Sequence, residues 1–176
     1  MFRINDIDDN YYELMLDGIE ENYNHVITIM RKNFNPDLKK GFKRDNFALK
    51  DDIDVLYEYV RMGIGSRFRI KNAIENVRTV LRTSIGGEKI TSSNSQEELK
   101  GNRVGFLLDI CENLNKINTG KSITAHELAE LVGLSGQTII NDIKKEKIDA
   151  SKIGNVWSIS GKEAKKYIDL KGNLPY

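Results

Sequence analysis

Residues 124–143, TAHELAELVGLSGQTIINDI, carry two short helical patterns joined by Gly133-Leu134-Ser135. Thr124 and Glu127 have the spacing of a capping box. In that arrangement the hydroxyl accepts from an early helix amide while the carboxylate reaches back to the cap's own N–H. The helix opening there carries Leu128, Ala129, Leu131 and Val132 and stops at Gly133. Ala129 is small where two helices must cross, Gly133 tolerates the positive φ of a sharp turn, and Leu134 can plug the gap between the helices. Ser135 is placed to cap a second helix, which Ile139 and Ile143 lock onto the first. Such a pair holds one helix rigidly with its other face outward, as major-groove reading requires.

Working outward, the pattern after Lys147 changes to alternation. Ile153, then Gly154-Asn155, then Val156-Trp157-Ser158-Ile159, predicts a two-stranded hairpin with a tight Gly-first turn. A last short helix runs from Ser160 or Gly161 through Ala164, Tyr167 and Ile168. Upstream, Val104, Leu107, Leu108, Cys111 and Leu114 mark the buried side of a helix, which makes Cys111, the chain's one cysteine, a core residue and not a nucleophile. Lys121-Ser122-Ile123 is short and extended.

The order helix (about 103–116), short strand (122–124), helix, turn, helix and hairpin resembles the winged helix-turn-helix class of DNA-binding domains. The residues carrying the likeness are ITAHELAELVGLSGQTIINDI (123–143) and KIGNVWSIS (152–160). The stretch GNVWSISGKEAKKYI (154–168) is also similar to the wing and closing helix of excisionase-like and MerR-like modules. The likeness covers about 103–168 and implies double-stranded DNA as the partner. Gly136-Gln137 stands where many related recognition helices carry Arg.

Helix geometry at about 100° per residue then selects the contacting side chains. With Ile139 and Ile143 inward, Gln137, Asn141 and Lys144 share the outward face, and Asp142 lies away from it. Gln and Asn can pair bidentately with adenine, and Lys can reach guanine or phosphate. Ser135, Gly136 and Thr138 stand at the helix amino terminus, where the dipole favours a phosphate. Lys145, Lys152 and Asn155 suit backbone contacts from the helix end and the wing.

The first half reads as a helical domain over 1–82. Tyr11, Leu14, Ile19, Tyr23, Val26 and Met30 recur at near-helical spacing up to Asn35-Pro36. Ile53, Leu56, Tyr57 and Val60 mark a second helix stopped by Gly63 and Gly65. Ser66 caps a third, with Phe68, Ala73, Ile74, Val77 and Leu81 as its buried stripe. Residues 83–100, rich in Gly and Ser, read as a linker or mobile hairpin before a winged domain over 101–176. The fold class expected is therefore mainly α, with a small β-hairpin wing.

Across 176 residues, 27 Lys plus Arg oppose 26 Asp plus Glu, which at first argues against a polyanionic partner. By region the charge is segregated: net −6 over 1–30, +6 over 31–82, zero over 83–121 and +1 over 122–176. Two readings follow: the acidic head neutralises the basic middle, or the middle faces a polyanion. In the second case Arg67, Arg69 and Lys71 supply backbone contacts. A second helix-turn-helix around Gly63 is disfavoured because Tyr59 falls where a small residue is needed. A reading module this close to neutral calls for a homodimer, which doubles the phosphate contacts.

With 39% hydrophobic and 30% charged residues, the composition is that of a soluble globular protein. No membrane-length apolar run and no secretory signal pattern is present, so a cytoplasmic protein is expected. His25 and His126 lack ligand partners at i+4, Asp51-Asp52-Asp54 is an acidic helix start, and Ile85-Gly86-Gly87-Glu88 lacks phosphate-loop spacing. No catalytic residue, metal or cofactor is expected, and no enzyme. The leading expectation is a sequence-specific transcriptional regulator. Alternatives are a plasmid or phage accessory protein (excisionase-like, partition or replication) and an adaptor that binds a protein such as a polymerase. The amino-terminal domain is a further candidate for a protein partner, and RNA is an alternative ligand of the winged domain.

Overall fold

The computed structural model describes residues 4–39, 41–84 and 103–171. After a 3-10 turn (Ile4–Asp6) come helices α1 (Asp9–Asn33), α2 (Lys50–Met62), α3 (Arg67–Ser84) and α4 (Arg103–Asn118). Strand β1 (Ile123–Thr124), α5 (Ala125–Val132), α6 (Gly136–Lys144), β2 (Ser151–Ile153), β3 (Val156–Ile159) and α7 (Gly161–Lys171) follow. The protein is mainly helical, with one antiparallel sheet in the order β1-β3-β2. Ile123 pairs with Ile159, and Lys152 with Trp157.

Local chemistry accounts for the helix ends. The Asp8 carboxylate accepts from the Tyr11 amide at 2.7 Å and opens α1. Gly63, left-handed at φ 67°, closes α2, and the Ser66 hydroxyl accepts from the Arg69 amide at 3.3 Å at the start of α3. Helix α3 continues to Ser84, one residue past the start expected for the linker; residues 85–100 of that expectation lie outside the described residues.

Helix α4 is the element both halves share. It packs against α1, α2 and α3 and also against β1, α5 and α7. Leu107, Ile110 and Cys111 on it are fully buried, and the Cys111 thiol donates to the Leu56 carbonyl at 3.4 Å. Each fully buried Leu or Ile contributes ~1.5–3 kcal/mol through removal of apolar surface from water. The buried side chains form one continuous cluster from Ile4 to Ile168.

Some of the expected stripe residues point outward. Tyr11, Met15 and Leu16 face the core, which leaves Leu14 exposed a third of a turn away. Val26 and Met30 are exposed because α1, at 25 residues, outruns the 13 residues of α2 and the 16 of α4. Phe68 is 72% exposed: Ile70, Ala73, Ile74 and Val77 form the inner face of α3, and Phe68 lies opposite them. The side chain of Leu81 lies outside the described set.

Part of the charge segregation is resolved within the chain. Arg44 from the basic middle reaches Glu13, Asp17 and Glu20 of the acidic head. Arg61 donates to the Ile7 carbonyl at 3.3 Å and lies 3.9 Å from Asp9. Arg78 is bound to Glu112 of α4 and so is withdrawn from any basic edge. Arg67, Arg69 and Lys71 are exposed and make no ion pair among the described residues.

Candidate nucleic-acid interface

The capping box forms as the spacing predicts. Thr124 Oγ1 accepts from the Glu127 amide at 3.2 Å, and Glu127 Oε2 accepts from the Thr124 amide at 2.6 Å. The other oxygen of Glu127 takes the ammonium of Lys116 on α4. Burial works against the Glu127 carboxylate, but Lys116 and the Thr124 amide overcome it and hold its pKa below the usual carboxylate range. The box thus both starts α5 and ties it to α4.

The connection between α5 and α6 is short. Gly133 is left-handed at φ 64°, and the Leu134 amide donates to the Ala129 carbonyl at 3.0 Å. Ser135 is extended; its hydroxyl accepts from the Thr138 amide at 3.1 Å and shares a hydrogen bond with the Thr138 hydroxyl at 2.8 Å. Gly136 follows at the amino terminus of α6. A Cβ there would lie 3.2 Å from His126 Nδ1, so its missing side chain makes room for the imidazole on α5. That ring is itself 3.6 Å from the Glu130 carboxylate at i+4, which corrects the expectation that His126 has no such partner.

Ile139 and Ile143 are buried, and Gln137, Asn141, Lys144 and Lys145 are exposed. The structure therefore brings the first three together on the outer face of α6. Gln137 Nε2 donates to Asn141 Oδ1 at 3.0 Å, so the two amides are already ordered relative to each other. The Gln137 carbonyl and the Asn141 NH2 point their remaining capacity away from that bond.

Asp142, which adds a negative charge to the same helix away from this face, is buried. It accepts from the Tyr167 hydroxyl of α7 at 2.7 Å, and Lys147 Nζ lies 3.3 Å from its other oxygen. The Tyr167 hydrogen bond and the nearby Lys147 charge hold its pKa below the usual range against the effect of burial. The Tyr167 partner has no local signal in the sequence, since it lies 25 residues on. Another feature invisible to periodicity is Glu146, the one non-glycine residue with positive φ among those described, at 57°. It lets the chain turn out of α6 toward the hairpin, with the Lys147 amide donating to the Asp142 carbonyl at 2.9 Å.

Strands β2 and β3 project the turn Gly154-Asn155, with Gly154 at φ 60° as its positive-φ residue. Asn155 and Lys152 are exposed, and the Lys152 ammonium sits 5.8 Å from the centre of the Trp157 ring across the ladder. Beside them Ile153 and Val156, a directly opposed pair, are 70% and 50% exposed. The sequence reading does not single out this aliphatic hairpin tip, although Ile153 and Val156 on either side of Gly154-Asn155 carry its signal. Among the described residues no cluster of His, Cys, Asp and Glu could hold a metal ion, and no helix is long and apolar enough to cross a membrane.

Comparison with known proteins finds no matching family model, no matching curated protein and no matching solved structure.

Proposed function

We propose that the carboxy-terminal unit acts as a winged helix-turn-helix that reads double-stranded DNA, and that the protein is a cytoplasmic, non-catalytic transcriptional regulator working as a homodimer. One observation carries this reading. Gln137, Asn141 and Lys144 stand together on the open face of a helix whose opposite side is clamped by Ile139, Ile143 and the Asp142–Tyr167 bond. Two amides and one ammonium at that spacing match the donor and acceptor pattern of base edges in the major groove. Lys145, Lys152 and Asn155 flank the face and supply backbone contacts, while Ser135, Gly136 and Thr138 offer an anion site at the helix start. Arg67, Arg69 and Lys71, which make no ion pair among the described residues, add a second, separate set of cations at the start of α3. A plasmid or phage accessory role uses the same face and differs only in the array of sites bound.

The second reading is an adaptor that binds another protein. The exposed Ile153 and Val156 pair favours it, because aliphatic side chains at a wing tip have no use against a phosphate backbone.

A salt titration of binding to random-sequence duplex DNA tests the choice. Steep loss of affinity with salt, with a slope following the number of phosphates contacted, is expected. Selection of a preferred site should follow, and changing Gln137, Asn141 and Lys144 together to Ala should abolish that preference with helical content intact. Binding that ignores salt, or a triple variant that keeps its preference, refutes the assignment. A protein partner retained after DNase treatment and lost in Ile153→Asp supports the adaptor.

A further inference from the structure

We propose that two copies of this chain associate through the carboxy-terminal half of α1, paired antiparallel about Val26. The inference deepens the homodimer of the proposed function and rests on that reading for its biological use, while its physical basis is independent of DNA.

On helix α1 the line Tyr11, Met15, Ile19, Asn22, Val26 and Met30, at steps of four, four, three, four and four residues, runs along one face. Tyr11 and Met15 are buried in the core. The side-chain bonds of α1 to α2 and α4 come from Asp9, Tyr11 and Tyr12 at its amino-terminal end, and further along the same face lies open. Val26, Ile29 and Met30 are 50%, 44% and 39% exposed, while Ile27 is buried. An apolar face that continues a core stripe, on a helix that outruns its partners, requires a further cover.

The charge pattern identifies that cover as a second copy. Residues 8–21 carry six acids and no Lys or Arg, residues 22–30 (NYNHVITIM) carry neither sign, and Arg31-Lys32 follow. A parallel pair sets acid against acid and base against base. An antiparallel pair centred on the uncharged stretch sets each acidic end beside the partner's basic end and also opposes the two helix dipoles. Arg44 already engages Glu13, Asp17 and Glu20. Glu21 and Lys32 have no ion pair among the described residues. They lie three turns apart along one edge of the apolar face, almost symmetric about Val26, so a two-fold axis there forms two Glu21–Lys32 pairs at once.

Sedimentation velocity of the full chain without DNA, over a range of concentrations, tests the proposal. A reversible dimer is expected, and Val26→Glu with Ile29→Glu should yield a monomer of unchanged helical content, since both positions are exposed. Lys32→Glu should weaken the dimer about tenfold, and adding Glu21→Lys should restore it. Glu21→Cys mixed with Lys32→Cys should be joined by a short bis-maleimide, with neither variant joining to itself; the buried Cys111 does not compete. A wild-type monomer at every concentration overturns the proposal, whether another part of the chain or a different protein covers the face. So does a dimer that survives the two glutamates, or self-linking of Glu21→Cys alone. Because no DNA is present, these failures leave the DNA reading standing, and a chain that dimerises without salt-sensitive DNA binding sinks only that reading.

Discussion

The Tyr167 hydroxyl on α7 donates to the buried carboxylate of Asp142 on α6 at 2.7 Å, which fastens the last helix to the back of the proposed reading helix. A carboxylate on a nine-residue helix that presents its other face outward thus becomes an anchor and adds no negative charge to that face.

Removing the hydroxyl leaves a buried anion with Lys147 as its remaining partner. Tyr167→Phe should therefore destabilise the protein by ~1–3 kcal/mol, because an unsatisfied buried acceptor costs its full desolvation. Urea unfolding at neutral pH measures this, and an unchanged midpoint would show that the bond contributes nothing.

The Gln137–Asn141 bond predicts coupling between the two side chains. Both are exposed, so Gln137→Ala should change stability by no more than ~0.5 kcal/mol. Its effect on discrimination at a selected DNA site should reach ~1–3 kcal/mol. A double-mutant cycle with Asn141→Ala, read by fluorescence anisotropy, should be non-additive, and strict additivity would mean the two amides act independently.

Glu127 sets an acid limit on stability. Its pKa is lowered in the folded protein, so its contribution is fully present above the unfolded carboxylate value of about 4.3 and is lost as pH falls through the lower folded value. Glu127→Gln should be less stable at neutral pH and should lose less on acidification. Urea midpoints from neutral pH to pH 3 give the comparison, and parallel curves for the two proteins would remove Glu127 as a contributor.

Glu146 holds a left-handed conformation that costs a non-glycine residue roughly 1–2 kcal/mol. Its side chain is exposed, so Glu146→Gly should stabilise the protein by about 1 kcal/mol after glycine's larger unfolded-state entropy is deducted. A thermal melt that moves down would show that the carboxylate makes a contribution larger than the backbone strain.

At Gly161 the expected sign is opposite. A Cβ there would come within 2.9 Å of the carbonyl oxygens of Ile117 and Lys121, where α7 starts against the end of α4. Gly161→Ala should lower stability by ~1–3 kcal/mol through forced backbone displacement. A melt unchanged from the wild type would mean that the two helices separate without penalty.

Much of the carboxy-terminal half is legible residue by residue because its instructions are short-ranged. The Thr124–Glu127 box, the left-handed Gly133, the Ser135 cap and the Gly154 turn each act within a few positions, where chain connectivity already holds the partners together. The outward placement of Gln137, Asn141 and Lys144 follows from the same periodicity once Ile139 and Ile143 are inside.

The amino-terminal half was less legible, and the reason is also physical. Apolar spacing names a helix but not the length of the neighbours that will cover it, so Val26 and Met30 read as core and are exposed where α1 outruns α2 and α4. Phe68 looked like a buried anchor until Ile70 took the inner face of α3. The bonds that join distant elements, Tyr11 to the Arg103 carbonyl, Arg78 to Glu112 and Tyr167 to Asp142, link residues 92, 34 and 25 positions apart. At such separations many polar partners compete with similar local chemistry, and packing of α4 against both halves selects among them. Caps, turns and the outward face of α6 were thus written in neighbouring residues, while burial of Asp142, pairing of Arg78 and exposure of the α1 face were set by which helices end beside which.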